Sequence, residues 1–319
     1  MERIFVQIPS YRDPELQPTL EDLFATAEHP ERLSVGLCLQ IDPKTDHRCD
    51  FNIAQNDQIR CLRVSAPESR GVCWARNLIQ TLWSGEEFTL QIDSHTRFER
   101  GWDRTMVEML RKCRSSKPIL STYPSQYDPS DIRHERDVRV IKPSYFDKWG
   151  TLLLDSMAIP ADNGLAEPIR GALCGAGFLF GSSRVILEVP YDPYVYFFGE
   201  EISLSVRLWT HGWDVFHPHL PLLYHYWERD YRPTHWNDIE NWSVLDLKSR
   251  RRVNHMLGIE RADGDAIEEL ERYGLGTVRS LAEYEAFSGI DFEKRSISGY
   301  RLLPDGLKAK DEPLTPFRW

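Results

Sequence analysis

The stretch FTLQIDSHTRF, residues 88–98, opens as a strand and closes as a cluster of reactive side chains. Phe88, Leu90 and Ile92 alternate with Thr89 and Gln91, the period-two pattern of a strand with one apolar face. The run then breaks into Asp93, Ser94, His95, Thr96 and Arg97. Asp93 and His95 stand two apart, so in extended backbone both side chains leave on the same side. A carboxylate oxygen and an imidazole nitrogen can hold a divalent ion while its other positions stay open to water or phosphate oxygens. The same residues also suit an Asx-type turn with an incidental histidine. A third ligand has to come from elsewhere, and His217, His219 and His225 are the candidates. His225 ends an apolar strand, LLYH, much as His95 nearly does, and is the expected ligand. The other two are expected in the core or at the surface.

Outward from this stretch, the first 125 residues alternate strand and helix patterns. IFVQI, RLSVGLCLQID, QIRCLRVSA, FTLQID and PILSTYP read as strands. PTLEDLFATAEH, SRGVCWARNLIQTLWSG and GWDRTMVEMLRKCRSS read as helices between them. That order predicts an α/β fold with a doubly wound, mostly parallel central sheet, whose ligands sit at the carboxyl ends of the strands. The polar residues Ser10, Tyr11, Arg12, Asp42, Asp93, Ser94 and His95 all fall at such ends. Further on, RVIKPSYFDKWG and TLLLDSMAIP suggest short strands among loops, EEISLSVRLWTHG a helix stopped by Gly212, and the last 80 residues mainly helices and tail. Ser280 and Glu283 form a capping-box pattern.

Three further groups carry chemistry beside a plainer alternative. Gly71, Ala75 and Arg76 lie at the start of a helix, where amide dipoles and a guanidinium favour phosphate; Arg76 could equally pair with a structural carboxylate. Glu200 and Glu201 follow Gly199 at a helix entrance, where acids also simply complement the helix dipole. Gly175 and Gly177 would let backbone pass close to a ligand, or mark a bulge or turn.

The bulk composition is that of a globular protein: 319 residues, 41% hydrophobic and 28% charged. A formal net charge of −10 argues against a nucleic-acid partner, so an anionic ligand needs local positive charge or a metal. The six cysteines show no CxxC pair and read as reduced thiols of a cytoplasmic protein. The start of the chain does not read as a signal peptide, and no apolar run approaches the roughly 18 residues of a membrane span.

Taken together, these pieces resemble a GT-A glycosyltransferase. GEEISLSVRLWTHGWDVFHPHLPLLYH is similar in spacing to the corresponding stretch of polypeptide GalNAc-transferases, which places Glu200 on a motif glutamate and His225 on a metal histidine. The chain resembles more closely the cytoplasmic UDP-GlcNAc:hydroxyproline-polypeptide GlcNAc-transferase family, through IPSYRDPEL, GVCWARN, LQIDSHTRFERGWD, GAGFLFG, FFGEE and GTVRSLAEYEAFSGIDF. The resemblance implies the GT-A nucleotide-diphospho-sugar transferase fold over residues 1–258, with a nucleotide-binding half (1–125), an acceptor half (126–258) and a C-terminal helical extension (259–319). It implies retaining transfer of a sugar, GlcNAc first, from a UDP-sugar to a hydroxyl acceptor on protein or glycan, hydroxyproline among them. Asp93, His95 and His225 would hold Mn²⁺ or Mg²⁺. Ser10, Tyr11, Arg12 and Asp42 would line the uridine pocket. Arg76 would brace the diphosphate or order Asp93, with Ser94, Gly175 and Gly177 close to the donor and Glu200 and Glu201 positioning hydroxyls. A metal-dependent hydrolase and an inactive sugar-nucleotide-binding descendant are the competing readings.

Overall fold

IFVQIPSY is buried along its whole length, and that burial sets it at the centre of the main sheet. In the computed structural model, which describes residues 2–50, 56–130, 137–160 and 164–300, the strands run in chain order as follows. They are β1 (Ile4–Tyr11), β2 (Leu33–Ile41), β3 (Ile59–Ser65), β4 (Phe88–Ile92), β5 (Thr96–Phe98), β6 (Pro118–Ser121), β7 (Ser125–Gln126), β8 (Val138–Phe146), β9 (Leu152–Ile159), β10 (Ile169–Gly171), β11 (Phe178–Ser182), β12 (Asp214–His217), β13 (Leu223–His225), β14 (Ile290–Asp291) and β15 (Ser296–Ile297). The helices are α1 (Leu16–Thr26), α2 (Val72–Gln80), α3 (Trp102–Lys112), α4 (Arg184–Glu188), α5 (Glu200–Thr210), α6 (His235–Asp238), α7 (Trp242–Met256), α8 (Leu270–Tyr273) and α9 (Leu281–Ser288).

Eight strands make the main sheet, in the order β10-β12-β6-β11-β4-β1-β2-β3. The β4-β1-β2-β3 half is wholly parallel, as strand–helix alternation requires. Beyond it, β11 runs antiparallel between β4 and β6, and β10 antiparallel to β12, so the sheet is mixed. Successive residues of β1 serve opposite faces. Ile4, Val6 and Ile8 share a core with Leu20, Leu23, Trp102 and Met106 of α1 and α3, whereas Phe5 belongs to the core on the other face with Ile79 of α2. This is the doubly wound arrangement expected from the sequence.

Two regions differ from expectation. The segments taken as short strands near 140 and 155 form one long antiparallel hairpin, β8–β9, with a register shift between Pro143 and Tyr145. Proline inside a strand masks its pattern, and the shift absorbs the irregularity. After α7 the chain is only partly helical: α8 and α9 are short, and a small β14–β15 pair follows. Trp209 of α5 stacks on Phe287 of α9 with ring centroids 4.7 Å apart. The expected capping box closes α9, with the Ser280 hydroxyl accepting from the Glu283 amide. Residues 301–319 of the expected extension lie outside the described residues. No described helix is long and apolar enough to cross a membrane.

The helix that follows the FTLQIDSHTRF stretch is anchored by Trp102. Its ring is fully buried against Phe98, and its indole N–H donates to the Leu23 carbonyl. Trp102→Ala is expected to lower stability by about 3–5 kcal/mol, because both the ring's burial and its hydrogen bond are lost. Urea unfolding of the two proteins measures this difference.

Candidate metal and donor site

β4 ends at Ile92, and its next residue, Asp93, projects into a cleft of about 210 Å³ at the carboxyl end of the parallel strands. His95 lies just before β5. β5 pairs antiparallel with β13, with Thr96 opposite His225. The Tyr226 amide donates to the His95 carbonyl, which completes the pairing. This short ladder brings together two histidines 130 residues apart in sequence, with ring centroids 4.5 Å apart and nearly perpendicular. One ligand atom from each of Asp93, His95 and His225 lies within 4.8 Å of the others. The sequence reading of these three as one group therefore agrees with their position. His217 is instead buried elsewhere, with its Nδ1 against the Ser121 carbonyl. His219 does not line the cleft.

The donor set suits a divalent ion: one carboxylate and two imidazoles with borderline character. Burial, with the neighbouring His95 second, pushes His225 down to about 4, which favours the neutral imidazole that a metal ligand needs. Burial opposes ionisation of Asp93, but the His225 hydrogen bond and the Arg76 charge more than offset it and hold the carboxyl well below the usual carboxylate range. Gly177, just before β11, faces this cluster because β11 pairs with β4 and sets Phe178 opposite Ile92. A Cβ there would sit 3.1 Å from Asp93 Oδ2 and 3.6 Å from the His225 ring, so glycine keeps the space in front of these side chains open.

Arg76, on the buried face of α2, ties the cluster to α5. One guanidinium nitrogen donates to Asp93 Oδ1 at 2.7 Å; the other donates to Glu200 and, at 3.2 Å, to the Tyr191 hydroxyl. Gln91 of β4 donates to the same hydroxyl and to the Ala176 carbonyl. Arg76 thus orders Asp93, and its long reach across the cleft floor ends on Glu200. The amide at the start of α2 is partly satisfied, since Val72 N–H donates to the Tyr196 carbonyl. The phosphate-binding role expected of this helix end is therefore only partly open.

The two adjacent acids face different partners. Glu200 is buried against Arg76. Glu201 lines the cleft, accepting from the Ala176 amide at 2.9 Å and from the Tyr123 hydroxyl. Burial pushes its carboxyl up to about 7, against the pull of these two donors.

Of the residues expected in the nucleotide pocket, Tyr11 and Ser94 line the cleft. Ser10 is fully buried, and Arg12, in a left-handed turn, spends its charge on Asp46 and Asp238 at 2.9 and 2.8 Å. Neither lines the cleft. Asp42 lies outside it too: its carboxylate accepts the Lys44 amide in the turn after β2. Gln40 and Ser69, joined by a 2.7 Å hydrogen bond, occupy the corresponding wall instead. Gly175 approaches protein rather than cleft, since its Cβ would strike the Tyr123 ring at 2.8 Å.

The sequence reading missed the wall built by residues 226–236. Tyr226, Trp227, Arg229, Arg232, His235 and Trp236 all line the cleft. Arg229 lies 5.3 Å from the Trp236 ring centre, and Arg232 donates to the Tyr11 carbonyl. The signal was present in YWERDYRPTHW, where aromatic and basic residues interleave directly after the metal-type histidine.

A family model described as "Glycosyltransferase (GlcNAc)" matches residues 3–56 and 44–294. The chain belongs to that glycosyltransferase family. No curated protein matches it in sequence. Among solved structures, it is similar to GalNAc-T7, crystallised with UDP, GalNAc and Mn²⁺, at 15% identity and a TM-score of 0.56. That alignment covers 90% of this chain and 57% of the other, so the chain spans little more than half of that protein's length. It is also similar to S. aureus TarS 1–349 in complex with UDP-GlcNAc, at 13% identity and a TM-score of 0.48, covering 85% of this chain and 70% of that one. The likeness to GalNAc-T7 shows the fold to be GT-A.

Because folding raises the Glu201 pKa, the folded protein holds a proton there that the unfolded chain releases between about 4.5 and 7. Its contribution to stability is complete below that window and lost as pH rises through it. Glu201→Gln, neutral throughout, is expected to flatten this part of the stability–pH curve. Urea unfolding from pH 4.5 to 8 checks it, and an unchanged slope would contradict the assignment.

Proposed function

We propose that this chain is a metal-dependent, retaining glycosyltransferase that moves a sugar, GlcNAc in the first instance, from a UDP donor to a hydroxyl acceptor on protein or glycan. The observation that carries this reading is the convergence of Asp93, His95 and His225 in a cleft that Arg76, Arg229 and Arg232 also line. In a chain of net charge −10, such a concentration of cationic groups is what an anionic diphosphate requires. Membership of a GlcNAc-transferase family favours GlcNAc, while galactose, glucose and GalNAc are the competing donors. The Mn²⁺ and UDP held by GalNAc-T7 are compatible with the same donor set.

Asp93, His95 and His225 would hold Mn²⁺ or Mg²⁺. When bound, such an ion supplies Lewis acidity that neutralises charge on the departing diphosphate. The remaining work falls to this chain's own groups. Arg76, ion-paired to Asp93, keeps the carboxylate turned into the cleft. Tyr11, Gln40 and Ser69 offer polar and ring contacts for the nucleoside end. On the other side, Tyr123, Trp227 and Leu152–Leu154 form an acceptor wall of rings and aliphatic side chains. Glu201 lies beside Tyr123 and is suited to hold an acceptor or sugar hydroxyl. Glu200, occupied by Arg76, acts through that guanidinium. With retention, the acceptor attacks the face from which the diphosphate leaves, where the donor's own phosphate can take the proton. A hydroxyproline side chain is one acceptor of the required chemistry, and a cytoplasmic setting accords with the reduced cysteines, all six of which are free.

The test is release of UDP from a panel of UDP-sugars, with and without Mn²⁺, in wild type and Asp93→Ala. The expected result is turnover of one donor that depends on Mn²⁺, rises with acceptor and falls at least 100-fold in the variant. Sugar released at a rate indifferent to any acceptor would favour a hydrolase. A folded protein that binds no UDP would contradict the proposal.

A further inference from the structure

Asp13 belongs to none of the groups described so far, yet it is the most enclosed carboxylate beside the cluster, with no exposed surface. An isolated charge buried this way would be strongly unfavourable, so its neighbours define its role. They divide between its two oxygens. Oδ1 accepts the Glu15 amide at 2.9 Å and the Tyr231 hydroxyl at 3.0 Å. Oδ2 accepts the Ser94 hydroxyl at 2.6 Å and His95 Nδ1 at 2.7 Å, with Arg232 Nε 3.4 Å away. The first oxygen holds the turn into α1 and the wall carrying Tyr231. The second grips Ser94 and His95, the last two residues of the Asp93-Ser94-His95 motif.

We infer that Asp13 is a positioning residue that fixes His95 as an ion ligand, and that it joins this ligand to the cleft wall at Tyr231 and Arg232. The inference rests on the metal-site reading above. A carboxylate only accepts, so His95 Nδ1 carries a proton, and in the neutral ring the lone pair is then on Nε2. With Nδ1 committed, Nε2 alone can turn to Asp93 and His225. Histidine ligands are commonly oriented by a carboxylate on their other nitrogen, and losing that partner typically weakens metal binding about 10–100-fold. Asp13→Asn is nearly isosteric but places an amide N–H₂ or a weaker acceptor opposite Nδ1. The first of these favours the tautomer with a proton on Nε2, which cannot ligate.

Titration calorimetry with Mn²⁺ alone, on the full chain, tests the inference. Asp13→Asn is expected to bind Mn²⁺ about 10–100-fold more weakly than wild type. Tyr231→Phe removes the hydroxyl's bonds to Asp13 Oδ1 and from Arg232, leaves the Oδ2–His95 contact in place, and is expected to match wild type. Equal affinity in wild type and Asp13→Asn would overturn the proposal, as would an equal loss in both variants, since that would mark a purely structural role. Should Asp13→Asn fail to fold, proton–nitrogen correlation spectra of the metal-free wild type decide the matter: a proton on His95 Nδ1 supports the assignment, and a proton on Nε2 with none on Nδ1 overturns it. Wild type that binds no Mn²⁺ while His95 keeps the Nδ1 proton would overturn the metal reading, and the role in ion binding with it, but would leave the hydrogen bond itself established.

Discussion

Arg76 sits at the point on which the site depends. Its side chain is 1% exposed, and its guanidinium reaches Asp93 on one side and Glu200 on the other. Burying a charge so completely is strongly unfavourable unless its partners are in place, and removing one partner of such a pair typically costs about 3–5 kcal/mol. The arrangement therefore works as a constraint. α2, the end of β4 and the start of α5 can only pack together with Arg76 between the two acids. Burial by itself would lower the tendency of Arg76 to stay charged, but Glu200 and Asp93 hold it protonated. The same contact fixes where Asp93 points and leaves Glu201 alone free to face Tyr123.

The sheet supplies the rest of the geometry. Parallel strands end at one edge, and β4 delivers Asp93 there. The antiparallel strand β11 then lies beside β4 and brings Gly177 against the acid. The small β5–β13 ladder delivers both histidines from opposite directions. Placing Asp93, His95 and His225 on strand ends and a short ladder, rather than on long loops, holds their positions with backbone hydrogen bonds, which favours a preorganised site.

Much of this was legible in the sequence because the signals were local. The alternation in FTLQI and the two-residue spacing of Asp93 and His95 follow from strand periodicity. The capping box at Ser280 and Glu283 needs only four residues of context. The group Asp93, His95 and His225 was likewise accessible, since each histidine ends or adjoins an apolar strand. What stayed hidden depends on distant partners. Nothing near Asp42 reveals that its carboxylate closes a turn while Asp46 takes Arg12. Nothing near Asp13 reveals a histidine 82 residues away. The hairpin β8–β9 was underestimated because Pro143 interrupts its alternation, and the 226–236 wall because its residues follow no helical or strand period. The different tasks of Glu200 and Glu201 were also out of reach, since they are set by Arg76 and Tyr123 across the cleft.

Anomalous diffraction from crystals grown with Mn²⁺ and UDP tests the central claim most directly. The account predicts one strong manganese peak in contact with Asp93, His95 and His225, with the diphosphate beside it and facing Arg229 or Arg232. Ordered UDP in the cleft with no peak at these three residues, or manganese bound elsewhere on the chain, would contradict it.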